Sequence, residues 1–282
     1  MNFKKYNRLL GFLSGFCAFI VYFLTVEPTA SYWDCAEYIS TSAKLQIGHP
    51  PGAPLFQMLG AVFSILAFEN TQIAYAINMM SVTSSALTIV FMFWSVSLLG
   101  KKILKVKSEI SSEESFKIFG AAFLTTFTFM FTDSFWFNAV EAEVYAMATL
   151  ILSVLFWLGL KWESEFENER SDKWLILISF VIGLSFGVHF MGLLAIPSIG
   201  LIYYFKKYSN FELKSFLIAN VVSVSVLLFI FKLLLPSTLK LFGYLEVFFV
   251  NDLGLPFNSG TIFSAFLVIF ILYKSISYSI DR

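Results

Sequence analysis

The sequence predicts an all-α integral membrane protein, with residues 1–282 forming a single membrane domain. Three observations predict it. Hydrophobic residues make up 58% of the 282 and charged residues 13%, against about 45–50% and 25% in a soluble domain. Phenylalanine alone occurs 35 times, and the mean hydropathy is +0.77. The apolar residues also come in long runs, the pattern of helices that cross a bilayer. A formal net charge of zero says nothing in favour of nucleic acid, and no nucleic-acid partner is expected. Cys17 lies inside an apolar run and Cys35 beside Asp34, which gives no disulfide framework.

The first element, Leu9 to Val26, follows the basic "MNFKKYNR". Its length exceeds the about 7–15 residues of a signal-peptide core. "PTAS" is a weak cleavage site, so an uncleaved signal anchor is expected. Later apolar runs fall at 73–99, 118–132, 144–160, 174–190, 192–205, 215–235 and 261–273. A bilayer core of ~30 Å takes ~20 helical residues, so about eight transmembrane helices are expected.

A further apolar piece, Pro54 to Phe68, is short for a span. Charge decides its placement. If it stays on one side, only Lys44, Lys232 and Lys240 of the 19 basic residues fall outside the N-terminus, 100–117, 161–173, 206–214 and 274–282. Those five segments are then cytoplasmic. If it crossed, every later loop would change sides and the positive-inside rule would fail. The expectation is therefore a cytoplasmic N-terminus and a juxtamembrane helix within a first outer loop, 27–72. Two more outer loops follow at 133–145 and 236–260. "KKILKVKSEISSEESFK" and "KWESEFENERSDK" read as solvated inner connectors. No internal repeat is evident.

The outer segments collect acids and aromatic residues. In "SYWDCAEYIS", Asp34 and Glu37 stand three apart and share a helical face. That spacing suits a capping box, with Asp34 as N-cap and Glu37 as N3. It equally suits an ionised carboxylate that serves as a general base. The nearby "HPPG" places His49 before Pro50, in extended backbone, and predicts a helix starting near 51–54. In "DSFWFNAVEAEVYA", Glu141 and Tyr145 are four apart and would share a helical face, with Glu143 pointing elsewhere; an interfacial aromatic belt is the plainer reading. His189 lies at the outer end of its span, where a polar residue is costly and a candidate for function. The acids show no spacing typical of metal ligands, so no metal site is assigned.

"EPTASYWDCAEYI", "GHPPGAPLF" and "NAVEAEVYA" together resemble a large family of multi-span proteins common in Bacteroidetes, which also includes a vertebrate transmembrane protein O-mannosyltransferase. The family looks like a branch of the GT-C glycosyltransferases, and the resemblance covers roughly 8–200. It implies a GT-C-like bundle in a bacterial inner membrane, with the active face periplasmic. It also implies a polyprenyl-phosphate sugar as donor, and an acidic residue of the first outer loop, here Asp34, at the reacting centre. Members are often much longer, so a short or incomplete member is expected.

The chemistry fits those residues. A sugar on a lipid phosphate leaves as an anion and needs little acid help, whereas the acceptor hydroxyl needs a base. Asp34 is the expected base and Glu37 its companion, orienting the acceptor or a sugar hydroxyl. Trp33, His49, Pro50, Glu141, Glu143, Tyr145 and His189 are expected to line the sugar site. The donor's phosphate calls for a cation, and the outer face has no arginine; a divalent metal is one answer. The acceptor is expected to be protein Ser or Thr, with a lipid or glycan as the alternative. A transporter would instead place polar groups near the bilayer midplane.

Overall fold

The structure is a computed structural model that describes residues 2–106, 110–168, 170–208 and 210–280. Lys107 and Arg282, counted above among the inner basic residues, lie outside these. The described residues contain helices and turns but no strand. Two compact units divide the chain, 1–220 and 221–282, and α10 (Leu213–Leu228) runs across the division.

In the first unit, α1 (Phe3–Thr25), α4 (Ile73–Ile103), α5 (Ser112–Met130) and α7 (Val144–Ser164) are long apolar helices. Glycines let two of them close: a Cβ on Gly15 of α1 would stand 2.4 Å from Val90 of α4. Tyr22 donates its buried hydroxyl to the Met130 carbonyl at 2.7 Å, which ties the end of α1 to the end of α5. Ser111 and Glu114 form a capping box, and this starts α5 several residues before the apolar run begins. After Met130 the chain bends by 70° into α6 (Asp133–Ala139), so part of the expected second outer loop is helical.

Bonds at the two ends of this unit show which helix ends meet. At one end Lys102 pairs with Glu163 at 2.8 Å, and the Phe3 and Phe119 rings stack at 4.7 Å. At the other, Glu27 donates its N–H to the Val140 carbonyl at 2.9 Å. There too, Asn78 Nδ2 donates to the carbonyls of Glu27 and Thr29, at 2.7 and 2.9 Å. Both ends of the 27–72 segment thus meet at the same end of the bundle. The short helices α2 (Cys35–Lys44) and α3 (Pro54–Ser64) lie between those two ends.

Five helical stretches among the described residues are long and apolar enough to cross a membrane, and the bent α5–α6 pair would make a sixth. They make this an integral membrane protein. The count of about eight is not reached by length, because α8 (Asp172–Ser185) and α9 (Ala195–Lys207) have 14 and 13 residues. At 1.5 Å per residue each is only ~20 Å long. They still run between the two ends of the unit. Trp174 near the start of α8 donates to Glu165 at 3.0 Å, while the Gly187 carbonyl just beyond α8 meets α3. Tyr203 on α9 stacks on Trp162 at 5.5 Å. A 3-10 turn, Phe190–Leu194, joins them.

The second unit differs from expectation. The 236–260 segment expected as a loop is helical through α11 (Leu235–Val247) to Asp252. The helix survives Pro236 because a widened π-type stretch, Phe229–Leu234, precedes it, where a missing N–H is tolerated. Glu246 then accepts the N–H groups of Asn258 and Thr261, at 2.6 and 2.8 Å. This fastens the start of α12 (Ser259–Ile280) to α11.

Candidate active site

Asp34 and Glu37 sit at the start of α2, but the capping box is not made. Asp34 makes no side-chain cap bond. Glu37 turns instead to the loop ahead of α3. Its Oε1 accepts the His49 N–H at 2.6 Å, and its Oε2 lies 3.1 Å from His49 Nδ1. His49 Nε2 then faces Asp34 Oδ2 at 3.8 Å. A histidine from the loop competes better for the carboxylate than a helix terminus because it offers two donors at once.

The loop is shaped for this approach. A Cβ on Gly48 would stand 2.7 Å from Gln57 Nε2 and 3.2 Å from Glu37 Oε1, so a side chain there would push His49 off Glu37. Gly52 adopts φ +77° and donates to the His49 carbonyl at 2.8 Å. Pro50, joined to Pro51 by a cis bond, lies inside that turn. Gln57 on α3 donates to Thr41, and Thr41 to the Glu37 carbonyl, at 3.0 and 2.7 Å. These bonds hold α2 and α3 as one piece.

The second outer segment was misread in its details. Helix α7 begins at Val144 with Glu143 as its N-cap, so Glu141 and Tyr145 share no helical face. Glu141 is buried and accepts from Ser31, away from the cluster. Glu143, expected at the sugar site, is buried near the Asp34 charge and accepts the Val144 N–H at 3.3 Å. Tyr145 is exposed and packs against His189, with ring centres 5.4 Å apart. His189 accepts the Met191 N–H at 3.1 Å and so caps the 3-10 turn. Trp33 has φ 57° and projects into solvent, 88% exposed.

Burial and charge act differently on these acids. The His49 N–H holds the Glu37 carboxyl below its usual range, with the imidazole adding to the effect. Burial raises Glu141, against the Ser31 bond. Burial also pushes Glu143 up to about 7, and the Asp34 and Glu141 charges add to the rise. The cluster therefore combines an ionised Glu37 with a Glu143 poised near neutrality, a spread typical of functional sites.

Two residues escaped the sequence reading. Tyr38 follows Glu37 on α2, and its ring lies 5.9 Å from His49 and 5.2 Å from Phe56. Burial and the surrounding acids, Glu143 first, push its hydroxyl up to about 12. Asn78, fully buried on α4, holds 27–29 through its amide nitrogen and accepts the Ala142 N–H at 2.9 Å. A lone asparagine at the end of an apolar run was the available signal.

The trio of Asp34, Glu37 and His49 each offers a ligand atom within 4.8 Å of the others. Two carboxylates and an imidazole suit a divalent cation, and the third donor comes from a loop that no short-range spacing reveals. The arrangement can therefore take up a proton, hold an anion through the imidazolium, or seat a cation.

The fold and this cluster define a helical membrane protein with a carboxylate–imidazole site at one end of its bundle. A profile described as the protein O-mannosyl-transferase TMEM260 N-terminal domain matches residues 34–212. The chain belongs to that family. It is 28% identical over 191 residues to the protein O-mannosyl-transferase tmem260 of Dictyostelium discoideum, covering 63% of this chain and 21% of that protein. It is 25% identical over 165 residues to the protein O-mannosyl-transferase TMEM260 of Mus musculus, covering 58% and 21%. The chain thus spans about a fifth of the length of these curated relatives. No solved structure matches it.

Proposed function

We propose that the protein is a GT-C-type glycosyltransferase that moves mannose from a polyprenyl-phosphate donor to a protein Ser or Thr hydroxyl. The reading places the reaction at the periplasmic face of a bacterial inner membrane. The observation that carries it is the meeting of Asp34, Glu37 and His49 within the matched region, in a family whose relatives are named for O-mannosyl transfer.

Asp34 is the base. Its carboxylate makes no cap bond and, with its side chain 56% exposed, is open to an acceptor hydroxyl. As the hydroxyl oxygen attacks the anomeric carbon in line, its proton passes to Asp34 and the lipid phosphate leaves from the opposite face. The configuration inverts. Both Glu37 oxygens are engaged by His49, so Glu37 positions the imidazole rather than binding sugar. Protonated, His49 supplies positive charge to the departing phosphate. A divalent cation held by the trio would supply the same neutralisation, and Asp34 would then serve as its ligand and not as the base. Glu143 lies close enough to Asp34 to feel its charge, and Tyr145, His189 and Trp33 border the sugar site.

A transporter is less well supported. Two cavities among the described residues of the first unit are lined by apolar residues, serines and threonines, not by ionisable groups. Thr83, Thr88, Ser95 and Thr149 donate to carbonyls of their own helices.

The test is transfer of labelled mannose from polyprenyl-phosphate mannose in membranes, comparing the intact chain with Asp34→Asn. Label on protein, reduced about 10²–10⁴-fold by the substitution, is expected of a general base. Equal transfer by both would remove Asp34 from the chemistry. Label on lipid or glycan alone would move the acceptor class.

A further inference from the structure

The end of the first unit opposite the candidate site, where Lys102 meets Glu163, holds a group of lysines that the mechanism above does not use. Lys101 is half-buried, and its Nζ lies 5.4 Å from the centre of the Phe3 ring, beside Lys4 at the start of α1. Lys4, and Lys161 near the end of α7, are close enough to Lys101 for their charges to act on it. The acids at this end of α7 are already paired, Glu163 with Lys102 at 2.8 Å and Glu165 with Lys161 at 2.6 Å. Among the described residues, Lys4 and Lys101 form no ion pair. The first turn of α1 also carries no acid, although the positive end of a helix disfavours cations there. Like charges gathered in this way call for an anion.

The lysines head an aromatic strip. Leu87, Phe91, Trp94 and Lys101 fall on one face of α4, and none of them is buried. Helices α1 and α7 flank that face. Phe12 of α1 meets the Trp94 ring edge-on at 5.3 Å. Trp157 of α7 lies 5.8 Å from Trp94 and 5.4 Å from Phe91. Trp94 donates its ring N–H to the Asn7 carbonyl at 3.2 Å, which fixes the indole. Trp157 stands one turn before Lys161, so the strip runs up to the cations. Indoles below lysines suit the headgroup level of a bilayer.

We propose that this strip binds one anionic phospholipid, its phosphate held by Lys4, Lys101 and Lys161 and an acyl chain lying over Trp94 and Trp157 between α1 and α7. Basic pockets between transmembrane helices take such headgroups. Charge selects an anionic headgroup over a zwitterionic one, whose own cation would meet the lysines. The aromatic strip selects a lipid over free phosphate, which has nothing to place there. The lipid ties α1, α4 and α7 together at the point where their like charges repel. It sits at the other end of the bundle from Asp34 and does not depend on the glycosyltransferase reading.

The test is native mass spectrometry of the full chain in detergent, titrated with dioleoyl phosphatidylglycerol and, separately, with dioleoyl phosphatidylcholine. One phosphatidylglycerol should bind more tightly than any phosphatidylcholine. Lys101→Gln and Lys4→Gln should each weaken it about fivefold, while Lys101→Arg should retain it. Lys4 is exposed, so its substitution keeps the test readable if Lys101→Gln fails to fold. Lys117→Gln makes the same change of charge at a lysine paired with Glu113, and should leave binding unchanged. Equal binding of the two lipids, or equal weakening by Lys117→Gln, would mean diffuse attraction and overturn the site. Displacement of the lipid by excess inorganic phosphate would leave a plain anion site and overturn the lipid assignment.

Discussion

Glu143 differs most from the expectation set by its sequence. The string "NAVEAEVYA" marks a helix but not its first residue, and helix boundaries slip by a few positions in any such reading. That slip matters here, because starting α7 at Val144 turns Glu143 inward to Asp34 and leaves Glu141 with Ser31. A pH effect follows. The folded state raises the Glu143 carboxyl to about 7 from 4.5, so it binds its proton more tightly folded than unfolded. Its contribution to stability is full below about 4.5 and is lost as pH rises through about 7. The thermal midpoint in detergent should therefore fall across that window, and fall less in Glu143→Gln. Asn78 acts at the same scale. Asn78→Leu leaves the Glu27 and Thr29 carbonyls and the Ala142 N–H without their partner, at about 1–3 kcal/mol for each group left buried. Thermal unfolding should show a lowered midpoint, and limited proteolysis should show faster cleavage within 27–33.

Among the elements, α2 and α3 were the most legible. "HPPGAPLF" announces a helix start through its prolines, and α3 begins at Pro54. The missing part was the partnership of Glu37. A capping box and a His–Glu pair read identically from D-x-x-E, because the competing donor lies twelve residues away in a loop. The joint between α3 and the segment after α8 was equally hidden, since no local pattern pairs Leu55 with Gly187. A Cβ at Gly187 would stand 2.7 Å from Leu55 Cβ, so Gly187→Val should shift the first turn of α3 and His49 with it. A displacement of ~1 Å costs about 10²-fold in well-aligned reactions. Mannose transfer should fall by that order while circular dichroism reports unchanged helix content.

For the whole molecule, composition established the membrane class, and the basic residues gave an expected side for 27–72. Length alone did not deliver the spans. The runs at 174–190 and 192–205 became short helices interrupted by a 3-10 turn, and the run after 215 continued as helix to Asp252. Hydropathy reports how greasy a segment is, not where its backbone hydrogen bonds stop. The end-to-end arrangement of the first unit makes a direct prediction. In a background with Cys17 and Cys35 replaced by serine, Ser134→Cys should react with an impermeant maleimide in intact spheroplasts. Glu113→Cys, at the opposite end of α5, should react only after permeabilisation. Labelling of both from one side would reverse or break the topology.

The bonds from Asn78 to Glu27, Thr29 and Ala142, and from Glu27 to Val140, also impose an order on biosynthesis. Chains emerge from the ribosome N-terminus first, so the acidic loop is made long before the residues that pin it. Until the 140–142 segment arrives, Asp34, Glu37 and Glu143 cannot crowd together, and the acids stay apart in water. The nascent chain thus inserts its first helices while the loop is still open and well hydrated. Burial of Glu143 near Asp34 becomes one of the last events in assembling that end of the first unit.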